Sequence, residues 1–450
     1  MSTSSSQSAT DVRQASSLGM LIVVTVLIGL IAGLGGMFLA LLLHAIQHIA
    51  FGYDVGQLHG AKSFLQGVSG ADAFRRVAVL GVCGLVAGVG WWIVRRFCKP
   101  LVSISQAVKG DDCRMPVVAT VTHALLQIIT VALGSPLGRE VAPREFAAVF
   151  TGQLVHAAGL TREEARVMVA CAAGAGLAAV YNVPLGGALF TLEVLLGTFR
   201  FSALLPALAT STIASMVAWI GLGDVSQYTL PRLAIAPSLL IWSIVTGPVF
   251  GGAAFVFSRA SAAARRQAPR DRRLIPFCLV HFLILGALAI PFPELLGNGK
   301  GPVQLSLYSE LSGGFAALLF LLKFYVITAS LRVGAEGGLL TPGMTLGAML
   351  ATVTAGLWNL VFPPIAPADF ALIGAGAFLA SSMKMPLTAI VLVFEFTRFE
   401  HEDRSSNFDC ITACTSFYSK KIHFFCNSIF LCVLLLYCLC AFSKIRPNGR

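Results

Sequence analysis

Ionisable side chains are scarce in this sequence. Only 12% of its 450 residues are Asp, Glu, Lys or Arg, whereas 56% are hydrophobic. Soluble domains carry about 25% charged residues, so this composition excludes a soluble globular protein. Acidic residues are the rarer sign, 21 against 32 basic ones. The basic residues lie in short links between apolar runs, such as Arg265–Arg266, which is typical of cytoplasmic loops and excludes a nucleic-acid-binding face.

Clusters of metal-ligating or catalytic residues are also missing. The eleven cysteines include no CxxC pair, and no His/Cys cluster has the spacing of a tetrahedral metal site. His44 and His48 lie four residues apart on one helix face but have no Cys or carboxylate beside them. An intramembrane enzyme using Glu140, His44 or His48 would lack a nucleophile–base or metal constellation. We therefore expect no enzymatic activity and no cofactor.

Long apolar runs are what the sequence has in abundance. After a polar tail, residues 1–17, the run 18–50 exceeds the ~20 residues that span a bilayer and is too long for a cleavable signal peptide. Further apolar segments are predicted at 76–97, 116–133, 162–180, 184–196, 201–222, 236–258, 274–292, 313–331, 338–356, 369–382 and 386–397. Several have only 10–15 residues and are bounded by Gly or Pro, which indicates the broken helices of a transporter.

One apolar stretch, Gly134–Pro143, contains two adjacent charges, Arg139 and Glu140. An ionisable group at membrane depth costs roughly 2.5–3.5 kcal/mol on insertion scales. The stretch is therefore either a loop outside the membrane or a buried segment whose charges have a function.

An internal repeat favours the buried segment. Leu177–Leu185 and Leu379–Leu387 match at an offset of 202, and each is followed by a glutamate, Glu193 or Glu395, nine residues after its proline. Gly138 of the charged stretch lies 200 residues before Gly338. The chain thus divides into membrane repeats at 18–222 and 223–400, whose broken helices are expected to build a binding site together.

At these residues the chain resembles the CLC family of chloride channels and chloride/proton antiporters, of the bacterial type without C-terminal CBS domains. Gly138-Arg139-Glu140 is similar to the family's GREGP motif, and 337–342 is similar to its GxFxP motif. The resemblance covers roughly residues 20–397. It implies an all-α polytopic membrane protein with two inverted repeats of tilted and broken helices, a homodimer in the lipid bilayer, and chloride as the transported ion.

The resemblance also implies roles for single residues. Glu140 is the expected gate, whose carboxylate competes with chloride and swings away when protonated or displaced. Helix N-termini supply partial positive charge for an anion without a mobile cation. Arg139 is expected to support the structure with its side chain. The residues expected to line the anion pathway are Gly138, Arg139, Val141, Gly338, Leu339, Leu340 and Thr341.

Several positions depart from the family's pattern. Val141-Ala142-Pro143 stands where the family has Gly-Pro, and Leu340 replaces a Phe. No Ser matches the family's anion-coordinating one, Ser103 being the nearest downstream. Family antiporters carry a proton-transferring Glu where this chain has Val194, and Val cannot carry a proton. Glu193, beside it, is expected to cap backbone amides.

The last fifty residues, 401–450, contain six of the eleven cysteines and no late motif of the family. The family has a tyrosine here that closes the inner anion site, and neither Tyr418 nor Tyr437 stands in a matching motif. Residues 422–442 are apolar enough to span a membrane. We interpret the tail as the product of a shift in reading frame, and resequencing that returned an uninterrupted frame would rule this out.

The sequence therefore predicts a CLC-type chloride pathway in the bacterial inner membrane, gated by Glu140 and channel-like because of Val194. Two alternatives stay open: a chloride/proton antiporter with another inner proton route, and a truncated family member without function.

Overall fold

The structure, a computed structural model, describes residues 16–54, 62–230 and 237–397. The predictions for the tail, including the apolar segment 422–442, lie outside the described residues. The helices of the described ranges are α1 (Leu18–Phe51), α2 (Phe64–Gly70), α3 (Ala73–Phe97), α4 (Ile104–Lys109), α5 (Val117–Ala132), α6 (Val141–Ala157), α7 (Arg162–Tyr181), α8 (Pro184–Phe190), α9 (Phe201–Leu222), α10 (Pro237–Arg266), α11 (Leu274–Leu288), α12 (Lys300–Leu307), α13 (Gly313–Arg332), α14 (Leu340–Trp358), α15 (Pro367–Met383) and α16 (Pro386–Thr397). A π-helical turn, Thr191–Leu196, continues α8.

Every predicted apolar segment contains a helix, but some helix boundaries differ from the predicted ones. Helix α10 continues to Arg266, whereas the predicted apolar segment ends at residue 258. Its last turns contain Ala and Arg, which are strong helix formers but do not make a continuous apolar run. Helix α14 begins at Leu340, two residues later than predicted. Helices α2, α4, α6 and α12 were not predicted. Helices α2, α4 and α12 have six to eight residues, too few to show a hydrophobic period, and α6 carries Arg144 and Glu145 in its first turns.

Seven of the described helices are long and apolar enough to cross a membrane: α1, α3, α7, α9, α10, α13 and α14. Helices α7 and α14 are largely buried inside the protein, whereas α1 exposes most of its length. Apolar surface on this scale belongs in lipid, and the chain is an integral membrane protein. Helix α7 in the first repeat and α14 in the second are therefore core helices, and the shorter α15 is buried along most of its length too.

Basic residues gather at one end of the helix bundle. Arg95, in the last turn of α3, donates to the carbonyl of Pro269 (2.9 Å), and Arg332, in the last turn of α13, donates to Gln267. By the positive-inside rule this end faces the cytoplasm, and we call it the inner end. The link that follows α3 meets the end of α6, where Arg114 lies 3.4 Å from His156. We therefore assign the C-terminus of α6 to the inner end as well.

Two glutamates cap each other's helix across the repeat. Glu193 accepts hydrogen bonds from the amides of Leu387 (3.1 Å) and Thr388 (2.7 Å) at the start of α16. Glu395, on α16, accepts from the amides of Leu185 (2.9 Å) and Gly186 (2.6 Å) at the start of α8. The expectation that Glu193 caps backbone amides is confirmed, and the 202-residue offset corresponds to a reciprocal pair of caps.

Each capped helix begins with a proline, Pro184 or Pro386, whose missing N–H would have no intrahelical partner anyway. Each follows a residue in the left-handed conformation, Asn182 (φ 56°) or Lys384 (φ 57°). The carboxylates therefore satisfy amides that lipid or a dry interior would leave unpaired, at about 1–3 kcal/mol for each lost partner.

We expect Glu395→Ala to lower the free energy of unfolding by about 2 kcal/mol, because two amides in the first turn of α8 lose their acceptor. Thermal or denaturant unfolding in detergent measures this. Asp72→Ala is the matched control, since Asp72 occupies the N-cap position of α3 without a side-chain cap bond. Equal stability of the two variants would contradict the capping role.

Candidate functional site

Two loops cross at the centre of the protein. One joins α5 to α6 and the other joins α13 to α14. Gly138 and Gly338 exchange both backbone hydrogen bonds there, each 2.8 Å long. Gly134 and Gly334 turn the two loops with φ of 103° and 98°, a conformation that favours glycine. Both pairs are 200 residues apart, so the offset read from the sequence corresponds to a direct contact.

The charged stretch is buried, since no residue from Gly134 to Glu140 is more than 9% exposed. The Glu140 side chain is 1% exposed. Its Oε1 accepts a hydrogen bond from the backbone N–H of Leu340 at 2.7 Å. Its Oε2 lies 3.3 Å from the Tyr181 hydroxyl, which is also 2.9 Å from Oγ1 of Thr341. The interpretation as a buried segment is correct, and the alternative of an extramembrane loop is excluded.

The carboxylate of Glu140 occupies the N-terminus of α14. Neither α14 nor α6 receives a hydrogen bond from the side chain of its own N-cap residue. The first amides of an α-helix have no intrahelical acceptor and carry partial positive charge, which suits an anion. The predicted pathway residues Leu340 and Thr341 are buried in the first turn of α14, and Val141 is half-buried in the first turn of α6.

Arg139 packs against the ring of Tyr181. Its guanidinium carbon lies 5.3 Å from the centroid of the Tyr181 ring, and its Nη1 is 3.4 Å from Nε2 of His44. The positive charge of Lys300, at the start of α12, also acts on this group. His48 instead packs its ring 4.7 Å from the ring of Tyr53. The two histidines that share a helix face therefore have different partners.

Arg144 is a site residue that the sequence did not single out. Its Nε donates to the carbonyl oxygen of Glu140 at 2.9 Å. Its guanidinium carbon lies 4.9 Å from the centroid of the Phe190 ring at the end of α8. A second arginine, Arg265 at the end of α10, donates from Nη2 to the carbonyl of Gly337 at 2.8 Å. Each repeat thus contributes one arginine, Arg144 or Arg265, that donates to a backbone carbonyl of the loop crossing.

A buried histidine–carboxylate pair lies between α5 and α6. Nδ1 of His123 is 2.9 Å from Oε2 of Glu145, and Nε2 of Gln127 is 3.1 Å from the same oxygen. The side chains of His123 and Glu145 are 10% and 13% exposed. Glu145 follows Glu140 by five residues, about 7.5 Å along the helix axis toward the inner end. The pair can hold a proton at that depth.

Val194 and Ser103 lie outside the loop crossing. Val194 is 39% exposed, in the π-helical turn that follows α8. Ser103 is exposed and caps α4, where its Oγ accepts from the amide of Gln106 at 3.3 Å. Ser103 therefore does not stand in for the family's anion-coordinating serine. Tyr418 and Tyr437 lie outside the described residues. The tyrosine whose hydroxyl lies at the loop crossing is Tyr181.

Comparison with known proteins agrees with these features. The family model for the voltage gated chloride channel matches residues 83–402. A putative chloride channel protein, ClcB-like, from Ralstonia nicotianae is 29% identical over 346 residues, which is 72% of this chain and 77% of that protein. The voltage-gated ClC-type chloride channel ClcB of Citrobacter koseri is 25% identical over 387 residues, 84% of this chain and 90% of that one.

Solved structures share the fold at lower identity. A slow cyanobacterial Cl⁻/H⁺ antiporter superposes with a TM-score of 0.76 at 19% identity, over 90% of this chain and 95% of that one. A CLC-type fluoride/proton antiporter superposes with a TM-score of 0.61 at 19% identity, over 89% and 94% of the two chains. At such identity these likenesses describe the fold alone, which is the predicted all-α arrangement of inverted, broken-helix repeats.

Proposed function

The chain belongs to the voltage-gated chloride channel (CLC) family, and on that premise we propose that it carries chloride across the membrane through a pathway gated by Glu140, without obligatory coupling to protons. The proposal places Gly138, Arg139, Val141 and the residues from Gly338 to Thr341 along the anion's path. As the family resemblance implies, we further propose a homodimer in the bacterial inner membrane, with one pathway in each subunit.

The position of the Glu140 carboxylate carries the proposal. A negatively charged group accepts the amide of Leu340 at the N-terminus of α14 (2.7 Å), where an anion in transit would find the same donors. The carboxylate and a chloride ion therefore compete for one position. Protonation removes the negative charge, which weakens the hold of the helix N-terminus on the side chain and opens the position to chloride.

Val194 supports passage without coupled protons. The antiporters of the family pass protons through a glutamate at this position, and a valine side chain has no group that binds one. Passage then needs a site strong enough to admit chloride and weak enough to release it. Backbone amides at helix ends meet both conditions, because they offer hydrogen bonds without a full mobile charge.

The second candidate is a chloride/proton antiporter that uses another inner proton route. The His123–Glu145 pair favours it, because a buried imidazole 2.9 Å from a carboxylate can bind a proton between Glu140 and the inner end. A third candidate, a family member without transport, rests on the atypical sequence of residues 401–450.

Reconstitution in liposomes separates the three candidates. A chloride gradient is imposed, and efflux is followed with a chloride electrode while external pH is recorded. We expect chloride efflux that dissipates the gradient without driving protons uphill. Uphill proton movement coupled to chloride would establish the antiporter instead. Efflux equal to that of protein-free liposomes would establish a member without transport.

A further inference from the structure

We propose that Arg144 forms a fixed cationic site on the inner side of Glu140, assisted by Arg265, that binds chloride and keeps protons out of the pathway. The proposal rests on the proposed function and deepens it, since it names a site for chloride beyond the gate. In the described part of the chain no Ser stands at the expected position, and no Tyr matches the one that closes the family's inner anion site. Arg144 lies where such a group is needed.

The contacts of Arg144 fix its place between two elements. Its Nε donates to the carbonyl oxygen of Glu140 at 2.9 Å, so the guanidinium group lies next to the backbone of the proposed gate residue. Its guanidinium lies against the ring of Phe190 at 4.9 Å. Phe190 and Val194 are four residues apart on one continuous helical segment, so they lie on the same face. Arg144 therefore stands between Glu140 and the face that carries Val194.

The charge of Arg144 is only partly compensated. Its Nε makes a hydrogen bond, and no carboxylate within the described part of the chain forms an ion pair with it. Nη1 and Nη2 have no acceptor among the described residues. Glu145, the adjacent acid, is directed to His123 and Gln127 instead. A guanidinium with free donors in a partly buried position is suited to bind an anion.

Arg265 adds a second guanidinium from the other repeat. Its Nη2 reaches the carbonyl of Gly337, the neighbour of the crossing residue Gly338, at 2.8 Å. Its side chain is exposed, and its charge acts on that of Arg144. Two like charges that act on each other attract a chloride ion, because the ion relieves their repulsion.

The same charge opposes protons. An arginine side chain stays protonated throughout the physiological pH range. A hydronium ion or an excess proton moving from Val194's face toward Glu140 would have to pass this fixed positive charge, which raises its energy. The other titratable groups near Arg144 are Glu140, Glu145, Tyr181 and Arg265, and the Tyr181 hydroxyl is neutral. Of these, only Glu145 is an acid on the inner side, and its charge is shared with His123.

Chloride binding to the purified full-length protein, titrated by calorimetry, tests the anion site. We expect Arg144→Gln to weaken chloride binding about tenfold, and Arg144→Lys to keep most of the affinity because it keeps the charge. Arg265→Gln, which removes the second positive charge, should weaken binding in the same direction. Arg266→Gln removes an equal charge from the adjacent residue and should change nothing.

Equal chloride affinity in wild type, Arg144→Gln and Arg265→Gln would overturn the anion site. A loss in Arg266→Gln as large as that in Arg265→Gln would also overturn it, because the effect would then follow net charge alone. Failure of the proposed function is visible separately, as absent or proton-coupled efflux by the wild-type protein in liposomes.

Proton exclusion is tested by restoring an acid at position 194. We expect Val194→Glu alone to move no protons uphill in liposomes, because Arg144 still lies between the new acid and Glu140. The double variant Val194→Glu/Arg144→Gln should move protons uphill at a rate clearly above that of protein-free liposomes, because the positive charge between the new acid and Glu140 is gone. Equal proton rates in the two proteins would overturn the barrier.

Discussion

Replacing Glu140 with alanine should raise chloride flux at neutral pH about tenfold and remove its dependence on pH. The carboxylate occupies the position of a passing anion at the N-terminus of α14, and displacement of a competitor worth about 1.4 kcal/mol corresponds to that factor. Alanine leaves the Leu340 amide free for chloride. Flux is measured as chloride efflux from liposomes at pH values from 7.5 down to 4.5.

Glu140→Gln separates charge from shape. Glutamine retains the size of the side chain and an acceptor for the Leu340 amide, but it has no charge and cannot titrate. We expect flux that is constant with pH at a level between those of the wild type at neutral pH and of Glu140→Ala. Glu310→Gln, which neutralises an exposed acid after α12, is the control and should retain the wild-type profile. A wild-type pH profile in both position-140 variants would refute the gate.

The central position of Glu140, the proposed gate, could be predicted from sequence because the internal repeat pairs its loop with a second one. The offset of 200 residues between Gly138 and Gly338 identified two segments with equivalent places in an inverted pair. Equivalent broken helices in such folds converge near the middle of the bilayer. The structure shows the two glycines exchanging backbone hydrogen bonds, and the offset of 202 residues between Glu193 and Glu395 shows a second reciprocal contact.

Arg144 and Tyr181 could not be predicted in the same way. Arg144 lies in no matched motif, and Tyr181 lies within the matched segment Leu177–Leu185 but opposite Met383, which has no hydroxyl. Each gains its role from contacts with other elements. Arg144 reaches the ring of Phe190 on α8, and Tyr181 reaches Thr341, 160 residues away. One sign was present in the sequence: Arg144 and Glu145 form a second pair of charges within five residues of Glu140. A second pair of charges in an apolar region warrants the same question as the first.

Gly338 is the glycine whose substitution should have the largest effect on the gate. A Cβ added there would overlap Oε1 of Glu140, and one added at Gly138 would overlap Oε2. The overlapping atoms are the free end of a flexible side chain, so the carboxylate can leave while the backbone stays in place. Gly338 does not need positive φ, and alanine is compatible with its backbone. We expect Gly338→Ala to displace the gate and give high, pH-independent chloride flux.

The control is Gly343→Ala, one turn into α14, where an added Cβ has 3.3 Å to its nearest neighbour, Oγ of Ser382. It should retain the wild-type pH profile, because it does not meet Glu140. If Gly338→Ala acts only by removing the carboxylate from its position, then the double variant with Glu140→Ala should conduct no faster than Glu140→Ala alone. Additive effects would instead mean that Gly338 shapes the pathway independently of the gate. A wild-type pH profile in Gly338→Ala would show that the carboxylate does not need the space beside this glycine to close the pathway.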